Sequence, residues 1–222
     1  VRDNAARFYY ASSACAYPLR LQHDGARPLK ESDVDGDAEP GYGWEKRYME
    51  EMVRYYGQDY GLNVHMTRFM NVYGPEATYD GGREKALMAL CRKIALAKDG
   101  DEVEIWGDGN QVRDFVHVSD VVEVIVKLMA SDYHEPVNVG TGYGITIKRL
   151  AQLIAAIADK DIRFRFDPTK PQGVRCRVAD ISLMQQVTGY TPKVTLAEGL
   201  VEAYKWTCSR ISSPSSPALK TP

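Results

Sequence analysis

Two short apolar runs on either side of a helix-patterned stretch restrict the fold of this chain more than any other feature. Arg7-Phe8-Tyr9-Tyr10-Ala11 ends in Ser12-Ser13, the pattern of a buried strand that runs into a polar loop. Residues 18–41 carry Pro18, Gly25, Pro28, Gly36, Pro40 and Gly41 among charges and read as a loop. Tyr42 to Tyr56 has helical character, and Gly57 follows as a C-cap. Leu62 to Phe69 is a second strand, with Val64, Met66 and Phe69 apolar, and Asn71-Val72-Tyr73-Gly74-Pro75 turns the chain.

Beyond Pro75 the pattern becomes mixed. Helices are expected over Arg83 to Ala97, Ser119 to Met129, Leu183 to Thr188 and Leu196 to Thr207. Another begins after Thr146, an N-cap, with Ile147, Leu150, Ile154 and Ile157 at helical spacing. Val103 to Trp106 is a strand, Gly107-Asp108-Gly109-Asn110 a turn, and Val112 to Val118 the returning strand. Pro136 to Val139 and Asp161 to Phe166 are further strands. The fold class is therefore α/β: part of a doubly wound parallel sheet plus a smaller α/β domain. Residues 1–75 are assigned to the sheet and 76–208 mainly to the second region, with some segments returning. The Ser- and Pro-rich tail, 209–222, is expected to be disordered. Open α/β sheets bind ligands at the carboxyl ends of their strands, where Ser12-Ser13 and Asn71 lie.

Composition narrows the partners. With 222 residues the chain amounts to one domain or one and a half. A net charge of -2 without a Lys/Arg run gives no reason to expect nucleic acid or an anionic membrane. No apolar stretch approaches the roughly 20 residues of a membrane span. The four cysteines, Cys15, Cys91, Cys176 and Cys208, are widely spaced without CxxC or a Cys/His cluster. No metal site is expected, and a reducing, cytoplasmic compartment is. His23, His65, His117 and His134 are scattered and read as surface or satisfied core residues.

Tyr42-Gly43-Trp44-Glu45-Lys46 places a phenol and an ammonium four residues apart at a helix start, where one turn brings them together. A free tyrosine has a pKa of about 10, and a nearby ammonium lowers it by favouring the phenolate. Such a pair can take a proton from a sugar hydroxyl while a cofactor takes the hydride. Four further segments accompany it: Tyr10-Ala11-Ser12-Ser13-Ala14-Cys15-Ala16-Tyr17-Pro18, Arg68-Phe69-Met70-Asn71-Val72-Tyr73-Gly74-Pro75, Trp106-Gly107-Asp108-Gly109 and Arg113-Asp114-Phe115-Val116-His117-Val118. Together they resemble the extended short-chain dehydrogenase/reductase family of NAD-dependent epimerases and dehydratases, from about Phe8 to Thr207. The resemblance implies a Rossmann-type sheet with NAD as cofactor. It assigns Tyr42 and Lys46 to both catalysis and the nicotinamide ribose, Ser13 to assisting the tyrosine, and Ser12 and Phe69 to the cofactor.

Ser12-Ser13-Ala14-Cys15, Gly81-Gly82-Arg83-Glu84-Lys85-Ala86 and Gly173-Val174-Arg175 are similar to the branch of that family that epimerises GDP-mannose at C3 and C5. That likeness places an acid/base pair on Cys15 and Lys85. The chemistry is coherent: hydride removal at C4 leaves a ketone that acidifies the C3 and C5 hydrogens. Inverting either carbon then needs a base on one face and an acid on the other. A thiol with an ordinary pKa of about 8.5 and a lysine lowered by burial or a cationic neighbour suit the task. A dehydratase would instead want a carboxylic acid, often an Asp-Glu pair where this chain has Ala14-Cys15. The same likeness implies that Ser13, Ala14, Cys15, Asn71, Glu84, Lys85 and Ala86 contact the sugar. Lys93, Gln111, Arg113 and Arg175 would meet the nucleotide diphosphate, with Arg177 a weaker candidate beside Cys176, where the family often has Gly. The substrate expected is a nucleotide-diphosphate hexose, GDP-mannose favoured, and a homodimer is a family-based expectation.

Val139-Gly140-Thr141-Gly142-Tyr143-Gly144 imitates a dinucleotide fingerprint, but its spacing is GxGxG and no acidic residue ends a second strand of a βαβ unit. The glycine-rich turn for the NAD pyrophosphate is therefore expected upstream of Val1, so the chain reads as part of a larger protein that would bind NAD very weakly alone. Three readings stay open: a 3,5-epimerase; another enzyme of the framework, a 4-epimerase or reductase, with Cys15 idle; or an inactive nucleotide-sugar-binding or dimerising remnant.

Overall fold

A computed structural model describes residues 7–213. Its central sheet has three parallel strands in the order β1 (Arg7–Ser13), β2 (Asn63–Phe69), β6 (Pro136–Val139). The register pairs Ser13 with Phe69 and Phe69 with Val139, so the three carboxyl ends lie side by side. Helix α1 (Tyr42–Tyr60) crosses from β1 to β2, as parallel pairing demands. Met66 and Thr67 in β2 and all four residues of β6 are buried, as expected of strands covered on both faces.

The remaining elements form a mixed array. β3 (Asn71–Tyr73) pairs parallel with β5 (Val112–His117), which also takes β7 (Gly144–Thr146) antiparallel and β9 (Cys176–Arg177) parallel. β4 (Glu102–Trp106) pairs parallel with β8 (Arg163–Asp167). Helices α2 (Ala86–Leu96), α4 (Ile147–Ile157) and α6 (Leu196–Ser212) pack their apolar stripes against these strands, with Leu87, Ile94, Leu150, Ile154 and Leu200 fully buried. A second apolar cluster joins β6 to α3 (Val118–Met129) and α5 (Ser182–Thr188) through Val124, Leu128, Val139 and Met184. Thr146 caps α4 by accepting the Arg149 N–H at 3.1 Å, and Thr195 with Glu198 forms a capping box on α6.

Several expected boundaries move. Helix α1 continues past Gly57 to Tyr60 and is capped by Gly61, which has φ 65°. Gly57 serves close packing instead: a Cβ there would stand 3.2 Å from the Val64 side chain and 3.3 Å from the Leu62 carbonyl. Asn71–Tyr73 is a strand rather than a turn. Arg83, Glu84 and Lys85 lie outside the helix, with Lys85 extended at its N-cap, so α2 begins only at Ala86. Val112–His117 does not return along β4, since each finds a partner far away in sequence. Ser209 to Ser212 belong to α6, contrary to the expected tail; residues 214–222 lie outside the described residues.

A buried ion pair holds the parallel sheet to α1. Arg68 and Glu50 side chains are 3% and 2% exposed, and the guanidinium donates to both carboxylate oxygens at 2.9 and 2.6 Å. Ser12 donates its hydroxyl to the same carboxylate. Arg68 also donates to the Glu31 carbonyl at 2.9 Å and the Tyr17 hydroxyl at 3.3 Å, and Tyr17 donates onward to Asn138 at 2.6 Å. Removing one charge would strand the other in the interior. Arg68→Met is therefore expected to cost about 3–5 kcal/mol in urea unfolding, whereas replacing both charges together costs far less. Equal losses from the single and the double replacement would show that the pair does not act as a unit.

Candidate active site

The carboxyl ends of β1 and β2 and the start of α1 bring Ser13, Cys15 and Tyr42 into one patch. Strand alternation sends neighbouring serines to opposite faces. Ser12 is buried on Glu50, so its hydroxyl is unavailable to a cofactor in this arrangement. Ser13 caps the short 3-10 turn Ala14–Ala16, accepting the Cys15 N–H at 3.2 Å. Helix α1 reaches this turn because Gly43 has no side chain; a Cβ there would overlap the Cys15 carbonyl oxygen. Ala14 is buried, and Phe69 is half-buried as the register partner of Ser13.

Tyr42 and Lys46 are neighbours, but the expected coupling differs. The Lys46 ammonium donates to the Ala11 carbonyl at 3.1 Å and lies 5.5 Å from the centre of the Tyr42 ring. Partial burial raises the phenol above its ordinary value, and Cys15 and Glu45 add to the rise against the hydrogen bond with Ser13. Helical i,i+4 proximity therefore does not by itself create a phenolate here. The donor set of Tyr42, Ser13 and Lys46 fits a ribose and a sugar hydroxyl: a half-exposed phenol, a serine hydroxyl beside it, and an ammonium with one hydrogen bond to a carbonyl.

Cys15 faces two groups that its sequence neighbourhood does not join to it. Arg177 donates to its sulfur at 3.2 Å and to Glu39 at 2.8 Å. Burial pushes the Glu39 carboxyl up, but Arg177, the Cys15 hydrogen bond and the charge of Lys85 together hold it below the ordinary range. Lys85 lies exposed at the N-cap of α2. Glu84 is engaged by Arg92 at 2.9 Å, and Ala86 is exposed at the first turn of α2.

The expected diphosphate residues fall around β5, β9 and the 107–110 turn. Three guanidiniums converge there. Burial pushes Arg113 down to about 10, helped by the like charges of Arg177 and Arg175; its hydrogen bonds go to the carbonyls of Val112 at 2.8 Å and Gln172 at 3.2 Å. Arg175 donates to Asp24 at 3.0 and 3.1 Å and to Asp108 at 3.1 and 3.0 Å. Crowded cations of this kind form an anion-seeking field. Gln111 is buried, donates to the Trp106 carbonyl at 3.1 Å, and leaves its own Oε1 without a partner. Lys93 and Asn71 are turned to backbone carbonyls, those of Glu104 at 2.8 Å and Asp114 at 2.9 Å.

The imitation fingerprint is occupied from within. Asp114, fully buried, accepts the Thr141 N–H at 2.9 Å, the Gly142 N–H at 3.0 Å and the Thr141 hydroxyl at 2.7 Å. Those amides have no vacancy for a phosphate. A groove of about 750 Å³ runs along 141–145, 179–182 and 191–196, and none of the candidate residues lines it. It offers Lys193 and Asp180 as its charges and lacks the thiol, phenol and guanidinium groups gathered at the strand ends.

One consequence is accessible to titration. Hydrogen bonds from Arg175 and Asn110 lower Asp108 from the ordinary 3.8 to about 2. A depressed carboxyl stabilises the fold above its ordinary pKa and loses that contribution as pH falls through the lower one, here between about 4 and about 2. The Asp108 carboxyl carbon should titrate by NMR near pH 2, and Arg175→Gln should move the midpoint back toward 3.8. A midpoint that ignores the substitution would remove the Arg175 contact as its cause.

Known proteins sharpen this picture. The NAD dependent epimerase/dehydratase family matches residues 1–140. GDP-mannose 3,5-epimerase 1 of Oryza sativa subsp. indica is 39% identical over 205 residues, 92% of this chain and 53% of that protein. The dTDP-4-dehydro-6-deoxy-D-allose reductase of Streptomyces bikiniensis is 33% identical over 195 residues, 86% of this chain and 57% of the reductase. The chain thus spans about half the length of the curated relatives it matches. Among solved structures, UDP-glucose 4-epimerase of Thermotoga maritima with UDP-glucose superposes with a TM-score of 0.82 at 28% identity, covering 92% of this chain and 64% of that one. Thermus thermophilus UDP-glucose 4-epimerase in complex with NAD shares the fold, with a TM-score of 0.78 at 24% identity, covering 90% of this chain and 63% of that one. This chain belongs to the NAD-dependent epimerase/dehydratase family.

Proposed function

We propose that this chain is part of an NAD-dependent nucleotide-sugar epimerase of the GDP-mannose 3,5-epimerase type. The observation that carries the reading is the meeting of Ser13, Tyr42 and Cys15 at the strand ends, where Ser13 accepts the Cys15 N–H at 3.2 Å, Arg177 donates to the Cys15 sulfur at 3.2 Å and Lys46 lies 5.5 Å from the centre of the Tyr42 ring. The 39% identity to the rice enzyme supports the choice of reaction within the family. Residues 1–75 would hold part of the cofactor domain and 76–208 most of the sugar-nucleotide contacts.

The division of labour follows from the chemistry. Bound NAD supplies reversible hydride acceptance at C4 of the hexose. Tyr42 takes the C4 hydroxyl proton, with Ser13 fixing the phenol and Lys46 supplying positive charge. The C4 ketone withdraws electrons from C3 and C5. Cys15 and Lys85 then remove and return protons at those carbons. Arg113, Arg175 and Arg177 hold the diphosphate, whose paired terminal oxygens match their planar forks. Arg175 must exchange Asp24 and Asp108 for phosphate oxygens to do so.

A second reading, a 4-epimerase or reductase with Cys15 idle, draws on the 33% identical allose reductase. Solvent exchange separates the two. In deuterated water, the enzyme containing this chain should place deuterium at C3 and C5 of GDP-mannose, read by NMR. Cys15→Ala and Lys85→Ala should each slow that exchange by about 10²–10⁴-fold while leaving NAD reduction nearly intact; Tyr42→Phe should stop both. Interconversion of C4 epimers without deuterium at either carbon would replace the 3,5-epimerase reading with the 4-epimerase one.

A further inference from the structure

The segment that delivers Glu84 and Lys85 is held from two helices. At its start Glu76, with φ 65°, accepts the Trp206 indole N–H at 3.2 Å and Arg210 N–H groups at 2.9 and 3.2 Å. The Tyr79 ring meets the Trp206 ring edge-on, with 5.5 Å between centres. The chain then turns through Gly81 and Gly82, with φ 90° and 81°, where a Cβ would meet nothing within 4 Å. Arg92, on α2, closes this turn. It donates to the Tyr79 carbonyl at 3.0 Å and to Glu84 at 2.9 Å, and the Asp80 carboxylate lies 3.7 Å from its Nε. One guanidinium thus spans both ends of the turn. The Glu84 side chain is 9% exposed, and the oxygen that Arg92 does not engage, Oε2, is buried without a partner among the described residues. Lys85 follows directly, its carbonyl accepting the Ala89 N–H at 3.0 Å as α2 begins.

A carboxylate held in this way has one oxygen fixed and one to offer. A buried acceptor without a donor is costly, and a substrate hydroxyl donating to Oε2 removes that cost. We propose that Arg92 is a positioning residue for this segment: its planar fork closes the 79–84 turn, fixes Glu84 so that Oε2 is free for a substrate hydroxyl, and sets where Lys85 enters α2. The proposal rests on the reading of Glu84 and Lys85 as sugar contacts. Arginine suits the task where lysine does not, because N–H groups in one plane reach a carbonyl and a carboxylate at once. The other cation of α2, Lys93, goes to the Glu104 carbonyl at 2.8 Å. Burial pushes the Glu84 carboxyl up, but backbone hydrogen bonds and the one from Arg92 together hold it below its ordinary value, so it remains an acceptor.

Proteolysis tests the hold without substrate or NAD. In the 222-residue chain, Arg92→Gln should speed tryptic cleavage after Arg83 and Lys85. The rise should be about tenfold, the effect of one lost charge-assisted hydrogen bond on a local opening. Cleavage elsewhere in the chain should not change. The NMR midpoint of the Glu84 carboxyl should rise in the same variant, because a group that lowers it is gone. In the enzyme containing this chain, with NAD and GDP-mannose, Arg92→Gln should slow deuterium exchange into the sugar by about tenfold or more and leave NAD reduction nearly intact. A packing defect alone would lower both together. If Arg92→Gln unfolds, seen as cleavage throughout the chain, Arg92→Lys takes its place with the same expected directions, since an ammonium lacks the fork. Unchanged cleavage after Arg83 and Lys85, or an equal fall in exchange and NAD reduction, overturns the proposal. Failure of the epimerase reading looks different: the unsubstituted enzyme itself would place no deuterium, while cleavage and the Glu84 midpoint would still decide whether Arg92 holds the segment.

Discussion

The geometry of the candidate site depends on the buried Arg68–Glu50 pair. Arg68 sits in β2, Glu50 on the inner face of α1, and Ser12 at the end of β1, so one carboxylate ties three elements together. Tyr17 and Asn138 extend the network to the loop after β1 and to β6. Desolvation of the two charges offsets much of their attraction, so the pair contributes little net stability relative to an apolar pair of the same shape. What it supplies is position. Ser13 and Cys15 follow Ser12 directly, and Tyr42 and Lys46 lie one to two turns before Glu50 on the same helix.

A second constraint is the balance of charge around β5 and β9. Three arginines are brought together in a protein of net charge -2, and each solves the repulsion differently. Arg175 takes Asp24 and Asp108, Arg177 takes Glu39 and the Cys15 sulfur, and Arg113 makes do with carbonyls. Burial, helped by the like charges of Arg177 and Arg175, holds Arg113 down to about 10. A diphosphate arriving here would meet one cation still short of a carboxylate and another already satisfied, so affinity depends on exchange as much as on attraction.

Local pattern made much of the fold legible. The parallel pair β1–β2 with its crossing helix follows from short apolar runs around a helical period, and Thr146 announces α4 by its own capping hydroxyl. Pairing over distance was not legible. The Gly107–Asn110 turn looks like a hairpin, yet β4 and β5 turn to β8 and β3, because a turn motif says nothing about which edge is apolar enough to be covered. At the site, spacing indicated Tyr42 and Lys46, and the family resemblance added Ser13, Cys15 and Lys85 as candidates. They did not reveal that the Ala11 carbonyl takes the Lys46 ammonium. Glu39 was invisible for another reason: it stands after Asp33, Asp35 and Asp37 in a charged loop, and only the partner 138 residues away distinguishes it.

That separation bears on how the protein is made. The Arg177–Cys15 contact joins residues 162 apart, and Arg175 and Cys176 dock on Gln22 by backbone hydrogen bonds. Closing so long a loop costs entropy that only the finished packing repays, and contacts of high sequence separation form slowly. The β1–α1–β2 unit can pair as soon as residue 69 is available. The thiol end of the site must wait until β9 emerges, more than 100 residues later. During synthesis, Cys15 therefore spends its first moments without Arg177, as an ordinary thiol on a nascent chain, and acquires its charged surroundings only when the C-terminal region folds back.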